Sequence, residues 1–236
     1  MQLPPLTDGI IQRRYKRFLS DVELADGRLV TAHCPNTGSM RTCWQPGARV
    51  QLSHSDNPRR KLAWTLERVD MGQGWIGVHT GRTNQVIGEG LRGRMIETLN
   101  GYARVRGEAV CPHADLPRTR FDFLLSDGMG PDAWIEVKNV TLLEGDCLRF
   151  PDAVTDRGRK HLQVLAQLRR QGARAVMIYA LNRPEGSCFS PADEIDPAYG
   201  ASLRQAVQDA GVELLALRIR HTRQTMEVAE EVEVVL

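Results

Sequence analysis

The chain has 236 residues, 42% of them hydrophobic and 25% charged, a composition ordinary for a globular protein and compatible with one large domain or two small ones. It contains no run of about eighteen apolar residues, and Met1-Gln2-Leu3-Pro4-Pro5 lacks the basic and apolar regions of a secretion signal, so a cytoplasmic location without a membrane partner is expected. A net charge of +2 argues against a protein that coats polyanions by charge alone.

Charge is nevertheless unevenly spread, with 11 Lys/Arg against 7 Asp/Glu in residues 1–81 and 20 against 22 in the rest. The basic part opens with Arg13-Arg14-Tyr15-Lys16-Arg17-Phe18, four cations around two aromatics, which suits phosphates and stacked bases. A strand edge guarded by charge explains the same residues. From residue 10 to about 80, short apolar or alternating runs are broken by turn residues, predicting strands at 15–24, 28–33, 48–53, 61–70 and 74–79. Asp26-Gly27 is a hairpin turn. Five such strands suit an OB-like β-barrel over residues 1–81, a common platform for nucleic acid. The loop His33 to Met40 carries small donors at Asn36, Thr37 and Ser39 around Gly38, which suits a phosphate or a turn that satisfies its own backbone.

After Gly81 the texture changes, and residues 86–99 read as a helix with Ile87, Leu91, Met95 and Ile96 near one face. Residues 120–125 and 133–139 read as two strands of a hairpin around Ser126-Asp127-Gly128. A helix over 154–170 repeats Val154, Leu162, Leu165 and Leu168, with Gly172 behind it and Asp152 or Thr155 as its cap. Residues 175–181 form a buried strand, Asp196-Pro197 opens a helix running to 210, and residues 212–219 form another strand. Crossover helices between strands predict a mixed sheet covered on its faces. The five cysteines are odd in number and scattered, which reads as reduced thiols; His33 with Cys34, and Cys111-Pro112-His113, are weak metal-ligand candidates because no second pair has the usual spacing.

Glu136 and Lys138 alternate with Val137 along one strand and project together. Asp122 stands fourteen positions before Glu136, on the neighbouring strand, between apolar residues of a core. A charge there is costly unless paired or metal-bound. Two converging carboxylates, with the Val137 carbonyl, are ligands for Mg²⁺ or Mn²⁺. Lys138 beside them would orient a water or stabilise a phosphoryl oxyanion. An ordinary surface ion pair between Glu136 and Lys138 is the alternative.

Four ordered motifs, His33-Cys34-Pro35-Asn36-Thr37-Gly38-Ser39-Met40, Arg120-Phe121-Asp122, Glu136-Val137-Lys138-Asn139-Val140-Thr141-Leu142 and the stretch Phe150-Pro151-Asp152 through Arg157, Lys160, His161 and Leu162, resemble the sugar fermentation stimulation protein A family of bacteria and archaea. The resemblance spans nearly the whole chain. It implies an α/β fold with a β part: an N-terminal OB-like β-barrel followed, over residues 82–236, by a PD-(D/E)xK nuclease-like mixed sheet flanked by helices. It also implies non-specific DNA binding, with a regulatory role in sugar (maltose) metabolism. By position, Asp122, Glu136 and Lys138 look like the family's catalytic triplet, and Glu89 like an additional metal-binding acid that Glu97 could replace. Phe121 stands where the motif name has proline. Arg157, Lys160 and His161 would emerge from the first turns of their helix as a DNA backbone clamp, or as a solvated basic face. A Mg-dependent nuclease hydrolysing DNA, and a sugar-responsive regulator without catalysis, are the other readings. Two Gly-x-Gly-x-x-Gly matches, from Gly72 and Gly88, lack the strand-to-helix setting of a dinucleotide site.

Overall fold

The computed structural model describes residues 1–111 and 119–236. In the first half, β1 (Leu6–Tyr15), β2 (Leu19–Leu24), β3 (Leu29–His33), β4 (Arg49–His54), β5 (Trp64–Asp70) and β6 (Trp75–Gly77) make one sheet in the order β3-β2-β1-β4-β5-β6. A parallel contact of β3 with β5, Ala32 on Trp64 and His33 on Thr65, closes the first five strands into a barrel. Ile11, Val22, Val50, Leu52, Leu66, Val69 and Ile76 fill it. The OB-like barrel expected from the sequence is therefore present.

Its first strand differs from expectation. Residues 15–24 do not run as one strand: Lys16 and Arg17 adopt φ of 49° and 66°, and β1 folds back on β2. A bulge between Ile11 and Arg13 disturbs the alternation of β1, which hides it from a reading based on period two.

Beyond β6 come α1 (Thr80–Arg92), a 3-10 turn (Glu97–Leu99), β7 (Tyr102–Val110), β8 (Arg120–Gly128), β9 (Ala133–Val140), β10 (Leu142–Glu144), β11 (Cys147–Phe150) and α2 (Asp156–Arg170). They are followed by β12 (Arg174–Leu181), β13 (Cys188–Pro191), α3 (Pro197–Ala210), β14 (Glu213–His221) and β15 (Met226–Val234). The strands form a mixed sheet in the order β10-β11-β13-β15-β14-β12-β9-β8-β7, with β12 parallel to both β9 and β14. Along β12, Met177, Tyr179 and Leu181 pack with Leu162, Leu165 and Leu203 of α2 and α3. Val176, Ile178 and Ala180 pack with Val86, Ile87 and Leu91 of α1. Burial on both faces is why this strand reads as an unbroken apolar run.

The first helix begins at Thr80, earlier than its apolar period suggests, and ends at Arg92 before Arg94 turns to φ 56°. Strands β7, β10, β11, β13 and β15 escape the sequence reading because they are either three or four residues long or bear charges on an open face. Cys147 and Cys188 are disulfide-bonded, correcting the reading of all cysteines as thiols: the parallel register of β11 on β13 sets them opposite each other. Cys34, Cys43 and Cys111 are free. Pro112 and His113 lie outside the described residues. Among the described residues, no helix is long and apolar enough to cross a membrane.

The two halves are bound tightly. Arg68, in the barrel and almost wholly buried, donates to the carbonyls of Thr222 and Arg223 at 2.6 and 2.9 Å. Asp152 accepts from the Met40 amide at 3.1 Å and from Ser39 Oγ at 3.2 Å. The cap of α2 is Thr155, which accepts from the Gly158 amide, so Asp152 is left to hold the barrel loop.

Candidate active site

Strands β8 and β9 pair only from Phe123 on Ile135 to Leu125 on Ala133, and then part. The alternation of β8 breaks at the same place. Phe121 packs edge-on against Trp134 at 5.8 Å under α2, whereas Phe123 and Leu125 pack under α1. Asp122, between them, is turned to the edge the two strands leave open. There its Oδ2 accepts the Val137 amide at 2.7 Å, and its Oδ1 accepts Asn84 Nδ2 of α1 at 2.6 Å. The N–H and C=O of one strand residue point to the same edge, so the Val137 carbonyl faces the same opening.

Glu136 and Lys138 share a face of β9, as alternation requires, and Lys138 Nζ donates to Glu136 Oε1 at 2.6 Å. His161 of α2 hydrogen-bonds the same oxygen through Nδ1. Arg157 Nε donates to His161 Nε2 at 3.4 Å, which assigns Nε2 as acceptor and leaves the ring proton on Nδ1, aimed at Glu136.

Burial pushes the Asp122 carboxyl up, and the nearby charge of Glu136 adds to it, to about 6. Burial acts in the same direction on Glu136, but the His161 hydrogen bond and the Lys138 charge outweigh it and hold that carboxyl below its ordinary value. The two acids are thereby driven apart. Glu136 Oε2 is buried with no hydrogen-bond partner among the described residues. Such an orphaned acceptor is unfavourable unless something fills it.

The pair opens into a cleft of about 510 Å³ between the sheet and the barrel loop, walled by Asn36, Thr37 and Gly38 on one side and by Lys138, Arg149 and Arg157 on the other. The donors on offer, two carboxylates and one carbonyl, suit Mg²⁺ or Mn²⁺. Mg²⁺ commonly takes one or two carboxylates and fills its remaining positions with water or phosphate oxygens. A cation here would satisfy Glu136 Oε2 and relieve the repulsion on Asp122. Among the described residues, no three His, Cys, Asp or Glu side chains cluster as a closed metal site.

Two family models match the chain, the "Sugar fermentation stimulation protein RE domain" over residues 81–225 and the "SfsA N-terminal OB domain" over residues 13–78. The chain belongs to the sugar fermentation stimulation protein family. The sugar fermentation stimulation protein homolog of Syntrophotalea carbinolica is 53% identical over 93% of each chain. That of Geobacter sulfurreducens is 49% identical over 99% of this chain and 98% of its own. A solved structure of Pyrococcus furiosus SfsA in complex with Ca²⁺ matches with a TM-score of 0.86 at 25% identity, covering 100% of this chain and 98% of that one. The barrel followed by a helix-flanked mixed sheet is thus the architecture this member of the sugar fermentation stimulation protein family shares with a solved relative.

Asp122, Glu136, Val137 and Lys138 come together as the sequence suggests; Glu89 does not join them. It is exposed and pairs with the Met1 α-ammonium at 3.0 Å. The residue α1 presents to Asp122 is Asn84, and five residues on, Glu89 lies about 140° round the helix and about 7.5 Å along it. Glu97, the substitute, sits exposed in the 3-10 turn. His161 is buried beneath Glu136 and is not displayed with Arg157 and Lys160 on the exposed face of α2.

Among the proposed DNA contacts, Arg13 is paired with Asp21 and lies over Tyr15, whose hydroxyl also bonds Asp21. Arg14 donates to the carbonyls of Arg17, Asn36 and Gly38, and so holds the loop. Asn36 is buried, accepting the Gly38 amide, and Ser39 is committed to Asp152. Lys16, Arg17, Thr37, Arg157 and Lys160 remain exposed. Asn84, Arg149 and Asp152 were missed as site residues. Asn84 precedes the apolar period of α1 and gives no signal, but His161 could have been placed: it lies four and seven residues before the core residues Leu165 and Leu168, on the buried stripe.

Proposed function

We propose that this protein binds DNA through the phosphate backbone without sequence preference, seating a phosphate in the cleft where Asp122 and Glu136 would hold Mg²⁺ or Mn²⁺. The observation that carries this reading is the orphaned, buried Glu136 Oε2 beside an Asp122 carboxyl held up to about 6, in a cleft bordered by Lys138, Arg149 and Arg157. The charge and hydrogen-bonding needs of the two carboxylates are what a cation would meet, and the cations beside them, of which Lys138 and Arg149 already pair with Glu136 and Glu194, suit phosphate. The Pyrococcus furiosus relative was solved in complex with Ca²⁺, another oxygen-seeking cation, which supports a hard-cation site in the family. A regulatory effect on sugar (maltose) metabolism would be exerted through the DNA contact.

Hydrolysis of the DNA phosphodiester bond is the second reading, favoured by the position of Lys138. A bound divalent cation would lower the pKa of a coordinated water and offset phosphoryl charge. His161 and Lys138 fix the Glu136 carboxylate through Oε1 and leave Oε2 to face a ligand. The Val137 amide and Asn84 fix Asp122. The Lys138 ammonium would orient the attacking water or stabilise the oxyanion, while Arg149 and Arg157 position the strand.

Fluorescence anisotropy with unrelated duplex sequences, in EDTA and over about 50 to 200 mM salt, tests binding: affinity is expected to fall steeply with salt and to vary little with sequence. Salt-insensitive binding, or none at low salt in EDTA and again in Ca²⁺, rejects it. Incubation of labelled DNA with the protein in Mn²⁺ or EDTA tests hydrolysis. Cleavage that survives both Asp122→Ala and Lys138→Ala excludes this centre as its source.

A further inference from the structure

The positive charge of the barrel is concentrated by the way four of its acids are neutralised. Asp21, Asp26 and Asp70 are taken by Arg13, Arg28 and Arg49, and Glu67 is held by Arg82 of α1. Asp8 and Glu23 bond the neutral amides of Gln51 and Gln12 and keep their charge, as does the exposed Asp56 beside His54. Among the described residues, Lys16, Arg17, Arg41, Arg59, Arg60 and Lys61 are exposed and have no carboxylate partner.

Strand register gathers most of these at one end of the barrel. Leu19 pairs with His33, His33 with Thr65, and His54 with Trp64, so the ends of β2, β3, β5 and β4 lie in a row. From Leu19 to Thr65 is two strand spacings, about 10 Å. The Lys16–Phe18 tip is joined to this row by the Cys34 amide, which donates to the Phe18 carbonyl at 2.8 Å. The loop bearing Arg59, Arg60 and Lys61 is folded back onto it by Arg60 Nη2, which donates to Thr65 Oγ1 at 2.7 Å. Phe18 is 45% exposed among these cations, and His54 stands edge-on to Trp64 at 4.6 Å. Arg17 Nε donates to the Thr37 carbonyl at 3.0 Å, so the rim continues into the loop that walls the cleft.

We infer that this rim, with Lys16, Arg17, Phe18, Arg59, Arg60 and Lys61, binds single-stranded DNA and leads an unpaired strand to the cleft, an inference that rests on the DNA-binding reading above. Unneutralised cations track phosphates. An exposed aromatic among them is useful to a strand whose base faces are free and wasted on a duplex, where they are stacked away. A small five-stranded barrel with basic loops at one end is also a common carrier of oligonucleotides.

The test uses the full chain in EDTA, with a fluorescein-labelled oligothymidylate of about 16 nucleotides and a blunt duplex of the same length. The oligothymidylate is expected to bind more tightly than the duplex. Phe18→Ala should weaken it about tenfold while changing duplex affinity by less than about twofold. The combined Arg59→Ala, Arg60→Ala, Lys61→Ala variant should reduce the salt slope for the single strand by about 2, since each phosphate contact contributes about 0.7. Preference for the duplex, an inert Phe18→Ala or an unchanged slope overturns the rim assignment, and salt-dependent duplex binding by the same protein would leave the cleft reading standing. Failure to bind either DNA at low salt, in EDTA and again in Ca²⁺, overturns both.

Discussion

His161 Nδ1 on α2 meets Glu136 Oε1 on β9, joining two residues 25 positions apart, one lining the cleft and the other buried behind it. Through this contact the buried face of α2 sets the orientation and the charge of a carboxylate in the sheet. His161→Ala removes the hydrogen bond that most opposes burial at Glu136, so its carboxyl should rise. Mn²⁺ affinity measured by calorimetry is expected to fall about 10- to 100-fold, the usual effect of losing an orienting partner, and most at low pH, where the acid is now protonated. Unchanged affinity across pH would show that His161 only fills space.

Asp122 makes stability depend on pH in a defined direction. Its carboxyl titrates near 6 in the folded chain against 3.8 ordinarily, so its protonated form stabilises the fold below pH 3.8, and that stabilisation is lost as pH rises through 6. The loss is on the order of 3 kcal/mol. Asp122→Asn should therefore be more stable than the parent at pH 8 in EDTA and little different near pH 4, Asn84 turning its amide to accept. Added Mn²⁺ should raise the melting temperature of the parent and leave the variant unmoved. Equal pH profiles for the two proteins would contradict this assignment.

Gly38 has no space for a side chain: a Cβ there would lie 2.4 Å from Asp152 Oδ2 and 2.8 Å from Oδ1. Gly38→Ala must push Asp152 off the Met40 amide and Ser39 Oγ, with an expected loss of about 1 to 3 kcal/mol in urea unfolding. The same substitution should cost less in an Asp152→Ala background, because the two sites act through one contact. Strict additivity in that cycle would rule out the steric explanation.

Arg68 binds the barrel to the turn between β14 and β15. Burial lowers its pKa to about 10, which leaves it charged at neutral pH, and it lies over Trp75 at 4.7 Å. Arg68→Ala would strand the carbonyls of Thr222 and Arg223 as well as Gln51 Oε1. A destabilisation of about 3 kcal/mol is expected, with tryptophan fluorescence reporting separate transitions for barrel and sheet. A single transition at the parental midpoint would show that the contact does not couple them.

Strands such as β9 and β12 were legible because burial on one or both faces leaves a regular apolar pattern, and α2 because Leu162, Leu165 and Leu168 repeat at helical spacing. Strand β1 was not, because its bulge breaks the period, nor was the first turn of α1, whose polar residues serve the cleft rather than a core. The short strands β10, β11 and β13 hold their place by pairing alone, and pairing leaves no local mark.

The sequence by itself determined a five-stranded barrel ahead of a helix-flanked mixed sheet, and it singled out Asp122, Glu136 and Lys138, since alternation and costly charges in apolar surroundings are local properties of a chain. The tertiary structure decided the rest. The parting of β8 from β9 brings Asp122 to the Val137 amide, α2 inserts His161 behind Glu136, and α1 offers Asn84 where Glu89 was expected. Each depends on how separate elements twist and pack against one another, and sequence spacing carries no record of that.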